Sequence, residues 1–158
     1  MQEIERKFLV DKEKLESVLE SSTVIKQGYI PRGNTTTVRL RIAGDTGYLT
    51  LKGKTVGISR SEFEYEIPVE DAEAMLQEYC DQRLIDKLRY IVPFKGHNWE
   101  VDVFQGNNKG LIVAELELES EDEEFSKPDW VTVEVTDEKR YYNALLMDNP
   151  YSEWKDKE

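Results

Sequence analysis

The charged residues that could bind a ligand include five pairs of like charges spaced two residues apart. The acidic pairs are Glu3 and Glu5, Glu62 and Glu64, and Glu115 and Glu117, and the basic pairs are Arg39 and Arg41, and Lys87 and Arg89. Side chains at positions i and i+2 of a β-strand share a face. Mg²⁺ prefers carboxylate and water oxygens, whereas guanidinium and ammonium groups pair with phosphate oxygens. If these faces meet, they predict a site for a polyphosphate together with Mg²⁺ or Mn²⁺.

The segments that carry these pairs alternate charged and apolar residues, which is typical of half-buried strands. In the clearest case, from Ser61 to Ile67, three glutamates alternate with apolar side chains. The same pattern predicts strands over 1–10, 24–30, 35–42, 48–52, 61–67, 84–93, 99–104, 111–119 and 131–135. Amphipathic spacing predicts helices near 11–21, 71–81 and 137–147. Cys80 is expected in the core beside the second helix, and His97 in a loop.

A charged strand face is also typical of a solvated sheet surface. Whether the charged faces lie outside in solvent or inside at a site depends on where the helices pack. Each helix needs an apolar surface to cover, and the apolar strand faces provide it. Short antiparallel strands of this number could close into a barrel, with the helices outside and the charged faces lining the lumen. Such a lumen must contain water or charged ligands, because unpaired buried charges are costly. The expected fold class is α+β.

Composition limits the function classes. A length of 158 residues predicts a single domain over 1–158. The formal net charge of −12 argues against nucleic-acid and anionic membrane partners. One cysteine and one histidine exclude an internal disulfide and a multi-cysteine or histidine-based metal site. Early charges and the lack of a long apolar run predict a cytoplasmic protein without a signal peptide.

The charged pairs occur within longer motifs whose order resembles that of the CYTH superfamily, the triphosphate tunnel metalloenzymes, which includes bacterial class IV adenylate cyclases and thiamine triphosphatases. The motifs are Glu3-x-Glu5-x-Lys7, Gln27-Gly28-Tyr29, Arg39-x-Arg41, Leu49-Thr50-Leu51-Lys52, Ser59-Arg60-x-Glu62-x-Glu64-Tyr65-Glu66-Ile67, Lys87-x-Arg89, Glu115-x-Glu117-x-Glu119 and Glu134-Val135-Thr136. This resemblance covers essentially the whole chain.

The resemblance implies a closed eight-stranded antiparallel barrel whose tunnel binds a triphosphate and one or two divalent metal ions. The implied metal ligands are Glu3, Glu5, Glu62, Glu64, Glu115 and Glu117. The implied phosphate-binding residues are Lys7, Arg39, Arg41, Lys52, Lys87 and Arg89. Glu5, Lys7, Tyr29 and Arg39 are the implied catalytic residues, with Tyr29 near the attacking water, and Asp102 is expected to organise the basic side. Relatives are often homodimers, so a homodimer is a further expectation.

The leading functional hypothesis is a metal-dependent hydrolase of inorganic triphosphate or a related triphosphate. Phosphoryl transfer to water needs charge neutralisation and positioning rather than a Ser-His or Cys-His pair, and the sequence offers no such pair. A class IV adenylate cyclase and a binding module without turnover remain the alternatives. One departure concerns the last helix: small bacterial members continue Tyr-Tyr-Asn with Ser-Asn-Leu, whereas here Tyr141-Tyr142-Asn143 is followed by Ala144-Leu145.

Overall fold

The computed structural model describes residues 2–31, 36–80 and 84–155, and an antiparallel sheet dominates it. Within these residues the strands are β1 (Gln2–Val10), β2 (Ser22–Ile30), β3 (Thr37–Ala43), β4 (Thr46–Lys52), β5 (Ser59–Ile67), β6 (Leu84–Phe94), β7 (His97–Phe104), β8 (Ile112–Leu118) and β9 (Val131–Glu134). The helices are α1 (Lys12–Glu16), α2 (Val69–Tyr79) and α3 (Asn143–Leu146), and short 3-10 turns cover Gly106–Asn108, Lys139–Tyr141 and Tyr151–Glu153. None of the helices in the described ranges is long and apolar enough to cross a membrane.

The sheet closes on itself through its first strand. Its order is β5-β4-β3-β2-β6-β7-β8-β1-β9, with an additional pairing between β5 and β1. Residues Gln2–Ile4 of β1 pair with β5, whereas β9 takes over the same edge of β1 from Phe8 onward. The predicted closed eight-stranded antiparallel barrel is therefore confirmed, and β9 is a short strand added beside it.

α2 packs on the outer face of the barrel, over β2, β3 and β4. Leu76 and Cys80 form an apolar cluster with Leu40 of β3, so the prediction that Cys80 lies in the core beside this helix is confirmed. The helix approaches β4 closely at Gly47, where an added Cβ would lie 3.0 Å from the Cβ of Ala72. A glycine is needed at this position because the helix leaves no space for a side chain.

A second outer cluster covers β1, β7 and β8. The ring of Trp99 lies 5.4 Å from that of Phe8 and 5.7 Å from that of Trp130, both edge to face. Leu15 of α1 joins this cluster, and Phe125 packs against it. Edge-to-face aromatic pairs add to the stabilisation that burial provides, so this cluster holds the outer face of β1 while its inner face remains available for charged groups.

The inner face of the barrel changes from charged to apolar toward one end. The register places Lys87 opposite Phe104 and Gln27 opposite Ile85, and directly opposite residues point to the same face. The C-terminal segment packs on the apolar part of this inner face, with the buried side chains of Tyr141, Leu146, Tyr151 and Trp154. It therefore closes one end of the lumen, whereas α1 and α2 lie outside as expected.

The helix boundaries differ from the sequence prediction. The first helix ends at Glu16 rather than near residue 21, because Leu15 is its only buried side chain and so little packing supports it. Asp11 caps it, accepting hydrogen bonds from the backbone N–H groups of Glu13 and Lys14. The second helix begins at Val69, directly after Pro68, rather than at residue 71. Met1, Thr35 and Asp81, at the ends of predicted elements, lie outside the described residues.

The prediction of one continuous helix over 137–147 was wrong. A 3-10 turn ends at Tyr141, and Tyr142 has an extended backbone with φ −71° and ψ 133° before α3 begins. This break follows from the packing, because Tyr141 and Leu146 both reach the apolar end of the lumen. His97 was also misplaced: Lys95 and Gly96, both with positive φ, form a tight turn, so His97 opens β7 rather than lying in a loop.

Candidate active site

The inner face of the barrel brings the predicted acidic and basic side chains together. The register places Lys7 opposite Glu115 and Lys52 opposite Glu62, so each pair shares the inner face. We call this space the chamber. The predicted residues on its strand faces are Glu3, Glu5, Lys7, Tyr29, Arg39, Arg41, Lys52, Glu62, Glu64, Lys87, Arg89, Glu115 and Glu117.

On one side of the chamber, basic side chains contact carboxylates of other strands, one or two strands away. The ammonium group of Lys52 lies 2.9 Å from Glu3 and 3.3 Å from Glu62. Arg39 contacts Glu64 at 3.2 Å. Its Nε is buried without a hydrogen-bond partner among the described residues. A buried guanidinium N–H without a partner is costly, so Arg39 is arranged to donate to an additional acceptor.

On the opposite side, Asp102 organises two cations, as expected for the basic side. Arg89 donates two hydrogen bonds to its carboxylate, at 2.8 and 2.9 Å, and Lys87 lies 2.7 Å from the same group. Although burial opposes its ionisation, Lys87 and Arg89 hold the pKa of Asp102 well below its ordinary value. This carboxylate is therefore ionised at all working pH values and fixes the direction of both basic side chains.

Burial lowers the pKa values of two of these basic groups. It lowers the pKa of Lys87 to about 7, with Arg89 and Arg41 adding to the effect and Asp102 opposing it. It also lowers the pKa of Arg41 to about 10, with further contributions from Arg39 and Arg89. Crowded cations depress one another's pKa because each favours loss of a neighbouring proton. An anion bound between them would relieve this repulsion.

The first strand contributes both signs of charge. Lys7 lies 3.2 Å from Glu115, and although burial alone would raise the pKa of Glu115, the nearby Lys7 and Arg89 hold it at about 2. Burial raises the pKa of Glu5 from 4.5 to about 8, with Glu115 and Glu3 adding to the rise and Lys7 opposing it. Glu5 forms no salt bridge within the part of the chain that the structure describes. It is therefore the carboxylate with the greatest need for an added cation.

Four further residues line the chamber, and the sequence assigned none of them a role. Gln27 accepts a hydrogen bond from Arg41 at 2.9 Å and donates one to the Tyr29 hydroxyl at 2.8 Å. The other three are Thr50, which donates to Glu64, Glu100, which lies 3.5 Å from Arg89, and Asn143, which accepts from Lys87. The strand register could have identified Thr50 and Glu100, since they lie two residues from Lys52 and Asp102.

The chemistry of the donor set fits a divalent cation. Among the described residues, no three acidic, histidine or cysteine side chains already form a metal-binding arrangement. The reason is visible in the contacts, because Lys52 lies between Glu3 and Glu62. Burial also raises the pKa of Glu117, and Glu3 adds to this effect. Carboxylates that repel one another, as Glu117 and Glu3 do, are suitable ligands for a hard ion such as Mg²⁺.

Two curated relatives and one solved structure carry the same description. The chain is 47% identical over 154 residues to an inorganic triphosphatase of Acetivibrio thermocellus, covering 98% of both chains. It is 39% identical over 154 residues to an inorganic triphosphatase of Nitrosomonas europaea, covering 92% of this chain and 97% of that one. The crystal structure of the inorganic triphosphatase NE1496 resembles it with a TM-score of 0.63 and 34% identity, over 92% of this chain and 93% of that one.

The family assignment rests on nearly the whole sequence. A family model of the CYTH domain matches residues 1–144, a range that includes every predicted site residue and reaches Asn143. The closed barrel with inward-facing charges agrees with that match. This chain belongs to the CYTH family.

Proposed function

We propose that the protein hydrolyses inorganic triphosphate in the chamber, with Mg²⁺ or Mn²⁺ as its metal ion. The observation that carries the proposal is the meeting of buried basic side chains and carboxylates inside one closed barrel. The names of the two curated relatives support the same substrate, because both align with this chain over more than nine-tenths of its length. We further propose that the whole chain forms one domain.

In this proposal the basic side chains bind the phosphate oxygens. Arg39 donates from its Nε, which has no partner among the described residues, and Lys87 and Arg89 are directed by Asp102. Bidentate guanidinium groups match the geometry of phosphate, and ammonium groups act as point charges. The phosphate-binding set is Lys7, Arg39, Arg41, Lys52, Lys87 and Arg89.

The carboxylates have the complementary role. Glu3, Glu5, Glu62, Glu64, Glu115 and Glu117 would hold the metal ion. A divalent ion bound there supplies Lewis-acid stabilisation of charge on the phosphate oxygens. Tyr29, held by the amide of Gln27, and Glu5 on the facing strand orient the attacking water. At neutral pH a carboxyl group with a pKa of about 8 carries a proton, so Glu5 accepts a proton from water only after a cation has lowered its pKa.

Binding of metal and of phosphate is coupled in this arrangement. Lys52 and Arg39 are paired with carboxylates in the protein alone. When the basic groups turn to phosphate oxygens, the carboxylates lose their partners and gain affinity for a cation. Each ligand therefore increases the affinity for the other, and the coupling is reciprocal.

The test is product analysis with purified protein and Mg²⁺ or Mn²⁺. Inorganic triphosphate, ATP and thiamine triphosphate are supplied separately, and phosphate and cyclic AMP are measured together. We expect phosphate release, fastest from inorganic triphosphate. Cyclic AMP as the main product would favour an adenylate cyclase instead, and tight binding without any product would favour a binding module. Arg39→Ala should remove the activity, whereas Lys26→Ala, which removes an exposed cation, should retain it.

Other expectations from the sequence remain proposals. They are a small-molecule triphosphate as the main partner, no nucleic-acid or membrane partner, a possible homodimer and a cytoplasmic location. Size-exclusion chromatography with light scattering measures the oligomeric state directly. A monomer at the concentrations used for activity assays would contradict the homodimer.

A further inference from the structure

The closed end of the lumen places the segment after Tyr141 against the chamber. Tyr141 and Leu146 anchor this segment in the apolar cluster that fills the end of the barrel. Between these anchors, the extended backbone at Tyr142 directs two polar side chains toward the charged residues. The ammonium group of Lys7 lies 5.2 Å from the centre of the Tyr142 ring. The inner end of the chamber is thus formed by side chains of the C-terminal segment.

Asn143 makes the most direct contact with a phosphate-binding residue. Its side-chain oxygen accepts a hydrogen bond from Lys87 Nζ at 2.9 Å, and the amide nitrogen of Gln27 lies 3.5 Å from the same oxygen. Lys87 is almost fully buried, and its other close partner is Asp102 at 2.7 Å. Asn143 and Asp102 therefore hold the ammonium group of Lys87 between them.

The orientation of the Asn143 amide follows from the chemistry of its partner. An ammonium group can only donate, so the amide oxygen must face Lys87. The amide nitrogen is then left as a donor, and it forms no hydrogen bond with the described residues. A donor beside a lysine, next to Arg41 and Gln27, suits a terminal phosphate. A carboxylate at the same position would keep the contact with Lys87 but would repel phosphate.

We propose that Asn143 forms the inner end of the triphosphate site, where it positions Lys87, donates its amide N–H to the terminal phosphate and sets the length of phosphate chain that the chamber accepts. This inference rests on the proposed function. The closed end of the barrel lies behind Asn143, so a longer chain has no space to extend in that direction.

The experiment compares Asn143→Ala, Asn143→Asp and Leu145→Ala for hydrolysis of tripolyphosphate and tetrapolyphosphate. Leu145 is an exposed residue of the same short helix and controls for disturbance of the segment. Loss of a hydrogen bond to a charged phosphate should raise KM for tripolyphosphate about tenfold in Asn143→Ala, with kcat changed less than about threefold. Asn143→Asp should raise KM further, although it has the same shape and retains the contact with Lys87.

The ratio of kcat/KM for tetrapolyphosphate to that for tripolyphosphate should increase at least about fivefold in Asn143→Ala, because the side chain that ends the chamber is removed. Leu145→Ala should leave KM and this ratio within about twofold of the wild type. Thermal melting confirms that each variant is folded, and Asn143→Asp decides the outcome if Asn143→Ala is not. Unchanged KM in Asn143→Asp would overturn the inference. A wild-type protein inactive on tripolyphosphate would instead contradict the proposed function.

Discussion

Glu5→Gln isolates the carboxyl group whose ionisation the barrel resists most clearly. Burial and the neighbouring carboxylates Glu115 and Glu3 raise the pKa of Glu5 from 4.5 to about 8. Glutamine has nearly the same shape as a protonated glutamate but cannot ionise. In metal-free protein the substitution should therefore change little at low pH and should stabilise the fold at high pH, where the wild-type carboxyl must carry a buried charge.

The magnitude follows from linkage between protonation and folding. Between pH 4.5 and about 8 the folded protein retains the Glu5 proton, whereas the unfolded chain releases it. The wild-type free energy of unfolding therefore decreases relative to that of the variant as pH rises through this window. One pKa unit corresponds to about 1.4 kcal/mol. The difference between the two proteins should therefore grow by about 2 to 3 kcal/mol from roughly pH 6 to roughly pH 9.

The assay is urea unfolding in the presence of a chelator, at several pH values across this range. Glu66→Gln, on the exposed part of β5, is the matched control for the loss of a glutamate carboxylate. Adding Mg²⁺ at high pH should stabilise the wild-type protein more than Glu5→Gln, because the ion supplies the positive partner that the ionised Glu5 carboxylate lacks in the metal-free protein. If the difference between wild type and Glu5→Gln stayed constant with pH, the electrostatic account of Glu5 would be refuted.

Three other predictions concern individual side chains. Arg39→Ala should lower kcat/KM for inorganic triphosphate at least about 100-fold in steady-state kinetics, since a donor directed at phosphate is lost. Circular dichroism should show that the variant remains folded. Near-normal rates would contradict the role of Arg39 in binding phosphate. Burial lowers the pKa of Lys87 to about 7, so triphosphate binding in the presence of a chelator, where no turnover occurs, should be accompanied by proton uptake at about pH 8. Lys87→Met should reduce this uptake in calorimetry with two buffers of different ionisation enthalpy, and equal uptake in both proteins would exclude Lys87 as its source. Phe8→Ala should lower the free energy of unfolding by about 3 to 5 kcal/mol in urea titrations. The control Val24→Ala, at a residue that is 62% exposed, should lower it by less than about 1 kcal/mol. Similar losses in the two variants would mean that the cluster of Phe8, Trp99 and Trp130 is not tightly packed.

Strand alternation was sufficient to predict the wall of the chamber. Successive side chains of a strand lie on opposite faces, so Glu62, Glu64 and Glu66 share one face and Phe63 lies on the other. Barrel closure then followed from the need to cover the apolar faces while the charged faces met inside. The family resemblance added the number of strands and the roles of individual residues. The alternation and the need for closure therefore predict that the basic and acidic side chains meet inside one barrel.

The closed end of the chamber could not be predicted in the same way. Helical spacing around Tyr141 and Leu145 suggested one continuous helix, but tertiary packing of Tyr141 and Leu146 into the lumen favours an extended Tyr142 between two short turns. Local propensity is weak compared with the burial of two large side chains. Asn143 therefore appeared to be a helix residue outside the barrel, although its side chain contacts Lys87.

The balance of charge inside the barrel explains how an acidic protein can bind a polyanion. Among the described residues, the centre of the chamber brings six basic side chains together with eight carboxylates: Lys7, Arg39, Arg41, Lys52, Lys87 and Arg89 with Glu3, Glu5, Glu62, Glu64, Glu100, Asp102, Glu115 and Glu117. With all of these groups ionised, the chamber would be negative overall and would repel free triphosphate, so the metal ion must bind before or together with the substrate.

Glu5→Gln should then have opposite effects on triphosphate binding under two conditions. With a chelator present it should strengthen triphosphate binding above about pH 8, where the wild-type carboxyl is ionised, because one negative charge is lost. With Mg²⁺ it should weaken binding, because a metal ligand is lost. Calorimetric titration with a non-hydrolysable triphosphate analogue under both conditions distinguishes a metal-linked site from a purely cationic one. For a purely cationic site the substitution would change affinity in the same direction in both cases.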